Sequence, residues 1–189
     1  MKNFEIKDGI LIRYHGTDEV VTIPHGVTAI NIYAFGCKSV EKINIPNSVI
    51  DIHNRAFLNC KNLSNIYVDK NNPKYTDIDG VLFTKSKDTL ICYPSGRTET
   101  EYTIPYGVNY IGNYAFGKCR NLEKIILPDG VIQIYKGVFW NCKNLKDINI
   151  PNSVTTIGID AFRGCENLKI EIPNSVKIIE KHKIEDFLD

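Results

Sequence analysis

Hydrophobic residues recur along the chain with a period of 22 or 23 residues, and each period ends at a proline. The best-preserved unit runs from Pro128 to Pro151 and has the spacing Val-x-x-Ile, then Val-Phe, then Cys-x-x-Leu-x-x-Ile-x-Ile. An equivalent proline follows an isoleucine at four other places: Pro24, Pro46, Pro105 and Pro173. A unit this short cannot bury its apolar face alone, whereas stacked units share a continuous core. The pattern therefore predicts a solenoid.

Each part of the unit predicts a local structure. Leu-x-x-Ile-x-Ile is typical of a short strand with alternate residues buried, and the following proline ends that strand because it cannot donate to a ladder. Turn-forming pairs such as Asp129-Gly130 and Asn152-Ser153 come next. Val-x-x-Ile predicts a second extended segment on the opposite side of the coil. We expect Ala-Phe to form a helical turn that places the phenylalanine in the core.

Residues 69–103 interrupt the period and resemble the start of the chain. Alternating segments flank Asp79-Gly80 and Asp8-Gly9, and Asp-Gly is the favoured turn of a two-residue β-hairpin. We therefore expect two similar modules, each a hairpin followed by a ladder of coils. One elongated domain over 1–189 would comprise an N-terminal hairpin cap (1–19), two coils (20–68), an inserted hairpin segment (69–103), further coils (104–179) and a C-terminal cap (180–189). We predict that Ile178 to Leu188 form a short amphipathic helix that caps the last coil.

The repeats are not all complete. The first unit lacks one residue before Cys37, and the unit from Pro151 lacks one residue after Leu168. The remaining positions recur closely enough to define a consensus, Pro-x-x-Val-x-x-Ile-x-x-x-Ala-Phe-x-x-Cys-x-Asn-Leu-x-x-Ile-x-Ile-Pro. This unit resembles the BspA-like, or Treponema pallidum-type, leucine-rich repeat over residues 20–68 and 101–179.

The resemblance implies a fold and a class of function. The fold is a β-rich solenoid, a right-handed leucine-rich-repeat superhelix with short parallel strands on its concave side, few helical turns and inserted β-hairpins. The function is protein–protein interaction or adhesion to host proteins, often at the surface of a cell. The resemblance transfers no catalytic residue, because the repeat pattern contains none.

Composition and charge limit the classes of partner that the chain could bind. The chain has 28 isoleucines against 10 leucines, and 23 basic residues nearly balance 22 acidic ones. A net charge of +1 lacks the basic footprint of a nucleic-acid or anionic-membrane binder. No apolar run approaches the length of a membrane span, and Glu5, Lys7 and Asp8 interrupt any signal peptide. We expect a monomer without membrane insertion. It would be cytoplasmic, or at the cell surface if it is a fragment or is exported non-classically.

Five cysteines share one repeat position: Cys37, Cys60, Cys119, Cys142 and Cys165. Disulfides or a metal site are alternatives, but one cysteine per coil lacks the clustered spacing of zinc ligands, and parallel side chains are poorly placed for bridging. We therefore interpret the set as a buried column of free thiols, with Cys92 outside it. Similarly, we expect a buried ladder of asparagines whose amides bond to backbone groups: Asn62, Asn121, Asn144 and Asn167.

No catalytic motif accompanies these repeats. The sequence lacks a P-loop, G-x-S-x-G, H-E-x-x-H and G-x-G-x-x-G, and its four histidines are not near a second histidine or a carboxylate at metal or triad spacing. We expect no enzyme activity, no cofactor and no metal. Trp140 and Arg163 occupy equivalent positions after the repeat phenylalanine, where they would either be exposed or pack against the next coil.

The candidate binding residues are the outward positions around the central isoleucine of each long strand: Lys42, Asn44, Asn65, Tyr67, Lys124, Ile126, Asp147 and Asn149, with Lys169 and Glu171 at the equivalent positions of the last coil. Tyr67 and Ile126 would anchor a partner within a polar rim; the alternative is an ordinary solvated face. We therefore expect a non-enzymatic scaffold that binds a protein partner of unknown identity. The alternative is a cell-surface adhesin or structural element that binds host or matrix proteins.

Overall fold

The structure, a computed structural model, describes residues 3–36 and 39–179, and its strands are two to five residues long. The first module contains β1 (Phe4–Lys7), β2 (Ile10–Tyr14), β3 (Val20–Thr22), β4 (Ala29–Ile30), β5 (Lys42–Ile45), β6 (Asp51–Ile52) and β7 (Asn65–Val68). The second contains β8 (Tyr75–Ile78), β9 (Val81–Thr84), β10 (Thr89–Cys92), β11 (Glu101–Thr103), β12 (Tyr110–Ile111), β13 (Lys124–Ile126), β14 (Gln133–Ile134), β15 (Asp147–Asn149), β16 (Thr156–Ile157) and β17 (Ile178–Ile179). These described residues include no helix.

Each coil contributes one strand to each of two parallel stacks, except that residues 169–172 of the last coil form no strand. The Leu-x-x-Ile-x-Ile segments form the three-stranded sheets β3-β5-β7 and β11-β13-β15. The Val-x-x-Ile segments extend the hairpins into the sheets β1-β2-β4-β6 and β8-β9-β10-β12-β14-β16-β17. The predicted β-rich solenoid of short parallel strands is confirmed.

Hairpins begin both modules, as the Asp-Gly pairs predict. β1 and β2 pair antiparallel across Asp8 (φ 52°) and Gly9 (φ 76°). β8 and β9 pair antiparallel across Asp79 (φ 50°) and Gly80 (φ 79°). A type I′ turn requires positive φ at both central residues, which aspartate tolerates and glycine adopts without strain. β2 and β10 then pair in parallel with the first short strand of their ladders.

The core is a stack of aromatic rings surrounded by aliphatic residues. In the first module the ring centroids of Tyr14 and Phe35 lie 5.8 Å apart, and those of Phe35 and Phe57 lie 5.6 Å apart. In the second module the ring centroids of Tyr93, Phe116, Phe139 and Phe162 follow at 5.2, 5.3 and 5.4 Å. The hairpin tyrosines Tyr14 and Tyr93 therefore occupy the ring position that phenylalanine fills in the coils.

Strand β9 connects the two hydrophobic clusters. Leu82 packs in the first cluster, whereas Val81 and Phe83 pack in the second. Adjacent residues of a strand face opposite sides, so one strand can contribute to both. All three side chains are completely buried, and the inserted hairpin thus joins the modules through apolar contact.

The prediction of helical turns at the Ala-Phe segments is wrong. The Ala-Phe segments are successive turns closed by bonds such as Ala115 N to Gly112 O (3.1 Å) and Cys119 N to Phe116 O (3.1 Å), rather than helical turns. Left-handed residues on both sides of the ring, Tyr114 (φ 57°) and Lys118 (φ 64°), interrupt any helical run. The helix predicted from Ile178 is wrong at its start, because Ile178 and Ile179 form β17 and pair with β16. The rest of that helix, the C-terminal cap at 180–189 and Cys37 lie outside the described residues.

Candidate interaction surface

The register of the long strands aligns their outward residues in columns. In the first sheet Val20, Lys42 and Asn65 form one column, and Thr22, Asn44 and Tyr67 form the other. In the second sheet the columns are Glu101, Lys124 and Asp147, and Thr103, Ile126 and Asn149. We call these four columns the strand face. Neighbouring members of a column are one strand spacing, about 4.8 Å, apart.

The candidate residues differ in how far they reach into solvent. Lys42, Tyr67, Asp147 and Asn149 are exposed, whereas Asn44, Asn65, Lys124 and Ile126 are half-buried between their neighbours. Tyr67 exposes 41% of its surface, a large fraction for an aromatic side chain on a strand. Along one column of the second sheet the charge alternates from Glu101 to Lys124 to Asp147, so a basic side chain lies between two acidic ones.

The asparagines of the strand face bond within the sheet. Both amide atoms of Asn149 are engaged by the Leu127 backbone: Oδ1 accepts from its N–H (2.9 Å) and Nδ2 donates to its carbonyl (3.0 Å). Asn44 Nδ2 donates to Thr22 Oγ1 at 3.0 Å. Asn65 is covered by the hairpin turn, since a Cβ atom on Gly80 would lie 2.3 Å from Asn65 Nδ2. The side chains of Asn149 and Asn44 therefore bond to the neighbouring strand, whereas Asn65 lies against the hairpin turn.

Tyr67 borders an open cleft of about 290 Å³. The other lining residues come from strand ends and turns of the first module: Thr22, His25, Asn44, Ile45, Pro46, Val68 and Asp69. A tyrosine combines a large apolar ring with a polar hydroxyl, which suits a site that is partly solvated and partly buried. The cleft beside Tyr67 is therefore a place on the strand face that could receive a side chain of a partner.

Four members of the strand face were missed by the sequence reasoning: Val20, Thr22, Glu101 and Thr103. They lie on β3 and β11, the first long strands of the modules, where the leading leucine of the repeat is absent. Val20 is 55% exposed, more than Tyr67 at 41%. These four positions could have been identified by counting back from the proline that ends each strand. The outward residues are the second and fourth residues before Pro24 and Pro105.

The described cysteines of the repeat are free thiols that bond to the preceding coil. Cys60 Sγ donates to Phe35 O (2.7 Å), Cys142 Sγ to Phe116 O (2.9 Å) and Cys165 Sγ to Phe139 O (3.0 Å). Burial raises the pKa of Cys142. A hydrogen bond with Cys142, together with burial, raises that of Cys165. The interpretation as a buried column of free thiols is confirmed for Cys60, Cys119 and Cys142, whereas Cys165 is free but half-buried.

These thiols should react slowly in the folded chain. Burial also raises the pKa of Cys92 to about 12, so little thiolate is present near neutral pH. We expect titration with a disulfide reagent at pH 8 to modify the described cysteines slowly without denaturant and to count at least five free thiols in guanidinium chloride. The reduced protein serves as the control. Absence of free thiols in the denatured sample would contradict the interpretation.

The asparagine ladder bonds to the backbone as predicted, but it is not buried. The Nδ2 atoms of Asn121, Asn144 and Asn167 donate to the carbonyls of Arg97, Arg120 and Lys143 at 2.7, 2.7 and 2.8 Å. All three side chains belong to exposed residues. The amide must reach the turn of the preceding coil, which lies on the surface, and this explains why burial was the wrong expectation.

The turns beside the repeat phenylalanines also contain aromatic and basic groups. Trp140 is half-buried against Tyr114, with ring centroids 6.3 Å apart, and Lys118 Nζ lies 5.2 Å from the Trp140 centroid. Arg55 covers the other side of Tyr114 at 4.2 Å. Trp140 thus packs against the neighbouring coil, whereas the Arg163 side chain is 70% exposed.

The other side chains that could act in catalysis or bind a metal are dispersed over the described residues. Among them, no cluster of three or more histidine, cysteine, aspartate or glutamate side chains could hold a metal ion. His15 Nε2 lies 3.1 Å from Glu5 Oε2, a contact that the sequence did not suggest, and both side chains are more than half exposed. Residues 3–36 and 39–179 also include no helix that could cross a membrane.

Comparisons with known proteins agree with this architecture. A family model described as a BspA type leucine-rich repeat region, in six copies, matches residues 17–101 and 92–187. The structure is similar to that of the pneumococcal vaccine antigen PcpA, with 28% identity over 85% of this chain and 46% of that chain, and a TM-score of 0.76. It is also similar to a leucine-rich repeat protein from Eubacterium ventriosum ATCC 27560, with 25% identity over 86% of this chain and 63% of that chain, and a TM-score of 0.62.

A third similar structure is the T. pallidum leucine-rich repeat protein TpLRR, with 26% identity over 88% of this chain and 78% of that chain, and a TM-score of 0.52. The present chain thus spans about half of PcpA and somewhat under two thirds of the Eubacterium protein. No curated protein matches the sequence significantly.

Proposed function

Since this chain belongs to the BspA-type leucine-rich repeat proteins, we propose that it is a non-enzymatic scaffold that binds a protein partner through its strand face. Proteins of this family generally serve as interaction or adhesin-like scaffolds. The stacked strands present side chains at a regular spacing over two sheets, which suits a partner that makes many modest contacts with an extended surface.

The observation that carries the proposal is the exposed Tyr67 beside its cleft. Tyrosine is enriched among the residues that dominate binding energy, particularly where a neighbouring pocket excludes water. Val20 and Lys42 are also exposed and lie in the adjacent column. In the second sheet Ile126 supplies a half-buried apolar contact between charged and polar neighbours. The partner therefore meets an apolar centre with a polar rim.

A second candidate is a surface adhesin or structural element that binds host or matrix proteins. It is favoured by the likeness to PcpA, a vaccine antigen, with a TM-score of 0.76. Both candidates use the same strand face and differ in where the partner comes from. Capture of proteins from the source cell supports the first, and capture from host lysate or matrix supports the second.

The test is a paired substitution on the strand face. We expect Tyr67→Ala combined with Ile126→Asp to abolish binding, because it removes the aromatic anchor of the first sheet and places a charge at the apolar position of the second. The immobilised chain is incubated with source-cell lysate and with host lysate, and retained proteins are quantified by mass spectrometry. Thermal unfolding establishes that the variant remains folded.

A matched pair outside the strand face provides the control. Tyr106 is 90% exposed in a turn, and Ile132 is 41% exposed beside β14. Tyr106→Ala with Ile132→Asp makes the same chemical changes and should leave capture unaltered. If the strand-face variant still captures the same proteins while the control variant loses them, the binding surface lies on the turns or on the other sheet.

A further inference from the structure

The coil that follows β15 breaks the spacing of the repeat. The preceding coil reads Leu-x-x-Ile-x-Ile over 145–150, whereas this coil reads Leu-x-Ile-x-Ile over 168–172. Removing one residue from a strand changes which side chains face the core, so the usual register cannot be kept. Ile170 and Ile172 still pack against the core cluster but are only half-buried, and residues 169–172 form no strand.

The consequence is an incomplete ladder at the edge of β15. After the first long strand of each module, the backbone N–H before the proline donates to the next strand: Ile23 N to Asn44 O at 3.0 Å and Ile104 N to Ile126 O at 2.9 Å. After β13 the equivalent Leu127 N donates to the side chain of Asn149 on β15. Ile150 is the equivalent donor after β15. Within the described residues, the only backbone bond between 146–150 and 169–173 is Lys169 N to Lys146 O, at 3.3 Å.

A cleft of about 570 Å³ opens along this edge. One wall is β15 with Ile150, and the other is the segment 169–173. The rim carries both signs of charge, with Asp147 on one wall and Lys169 and Glu171 on the other. Backbone groups of an incompletely paired strand therefore border a space open to solvent.

We propose that this cleft takes an extended polypeptide segment of the protein partner, which adds a strand to the edge of β15. An open strand edge presents a row of main-chain donors and acceptors, and an extended main chain is the ligand that matches such a row. The best-fitting segment has an aliphatic residue at every second position, like the strands of this chain, because alternate side chains point towards the core. The inference rests on the proposed function in that it assumes a protein partner, but it assigns the contact to a sheet edge rather than to the strand face.

The repeat itself supplies a probe. A synthetic peptide with the sequence of residues 121–128 contains a complete strand of the repeat, here Leu-x-x-Ile-x-Leu. We expect saturable binding of this labelled peptide by fluorescence anisotropy, with slowed amide hydrogen exchange at Ile148 and Ile150. The same peptide with proline in place of Ile125 lacks a ladder donor and should bind much more weakly.

A length variant tests the origin of the site. One alanine inserted after Leu168 restores the repeat spacing, which should complete the ladder with β15 and close the cleft. We expect peptide affinity to fall about tenfold or more, the equivalent of one or two backbone hydrogen bonds. An alanine inserted after Tyr106, in an exposed turn, is the matched control and should bind as the unaltered chain does.

Either of two peptide results would overturn the inference: no saturable binding at the solubility limit of the peptide, or equal binding by the variant with the insertion after Leu168. A third contrary result is a dimeric mass in light scattering that the insertion after Leu168 abolishes, because a second copy of the chain would then occupy the edge. The variant Tyr67→Ala with Ile126→Asp separates this inference from the proposed function. It should bind the peptide normally even though it captures no partner. Failure of the peptide experiment alone leaves the strand face unaffected.

Discussion

Phe116→Ala is expected to lower the free energy of unfolding by about 3–5 kcal/mol. The Phe116 ring is completely buried and lies in the middle of a stack, with ring centroids 5.2 Å from Tyr93 and 5.3 Å from Phe139. Tyr102 adds a third aromatic neighbour at 6.0 Å. Since the neighbouring coils hold these rings by their own backbone ladders, they cannot collapse into the cavity. Urea denaturation followed by circular dichroism measures the loss.

Tyr106→Ala is the matched control for this truncation. It also removes an aromatic ring, but from a turn residue that is 90% exposed, so the change should stay within about 0.5 kcal/mol. Coils contact only their neighbours, so hydrogen exchange should increase most in the coils on either side of Phe116. A loss below about 1 kcal/mol for Phe116→Ala would show that the ring stack is not the centre of the core.

Asn72→Ala should have the second largest effect, a loss of about 3 kcal/mol in the free energy of unfolding. Asn72 is the buried polar residue of the described core, and its amide makes four bonds to backbone groups. Nδ2 donates to Pro46 O and Val49 O, both at 2.9 Å. Oδ1 accepts from Lys74 N (2.9 Å) and Tyr75 N (2.8 Å). Alanine would leave these groups without partners, at a cost of roughly 1–3 kcal/mol for each one that stays buried.

The adjacent asparagine is a control of the same chemistry. Asn71 is exposed, and its hydrogen bond to Asp69 Oδ1 uses the backbone N–H rather than the side-chain amide. Asn71→Ala should therefore change stability by less than about 0.5 kcal/mol, measured by the same denaturation. Equal effects of the two substitutions would mean that Asn72 does not anchor the inserted segment to the first module.

The repeated features could be predicted from the sequence. A 22- or 23-residue period forces equivalent residues of successive coils into parallel register, so the outward columns containing Lys42 and Tyr67 follow from residue spacing alone. The hairpin at Asp79-Gly80 follows in the same way, because the conformations that these two residues favour are those of the turn. Such local and periodic signals do not depend on the rest of the fold.

Features outside the period required the structure. Nothing in the sequence around Asn72 shows that its amide reaches Pro46 and Val49, more than twenty residues earlier. Likewise, the role of Leu82 depends on how the inserted hairpin lies between two clusters. The sequence also predicted which residues point outwards, but not that the Asn149 amide is engaged by the neighbouring strand. The deletion after Leu168 could be read from the sequence, whereas the unpaired edge of β15 depends on backbone geometry and could not.

Hydroxyl-radical footprinting of the chain, alone and with its captured partner, tests most directly whether the strand face is the binding surface. Tyr67 and Tyr106 are exposed tyrosines on different surfaces, so each reports on its own surroundings in the same sample. Our account predicts that partner binding lowers the oxidation rate of Tyr67 several-fold and leaves that of Tyr106 unchanged. Protection of Tyr106 with undiminished oxidation of Tyr67 would contradict it.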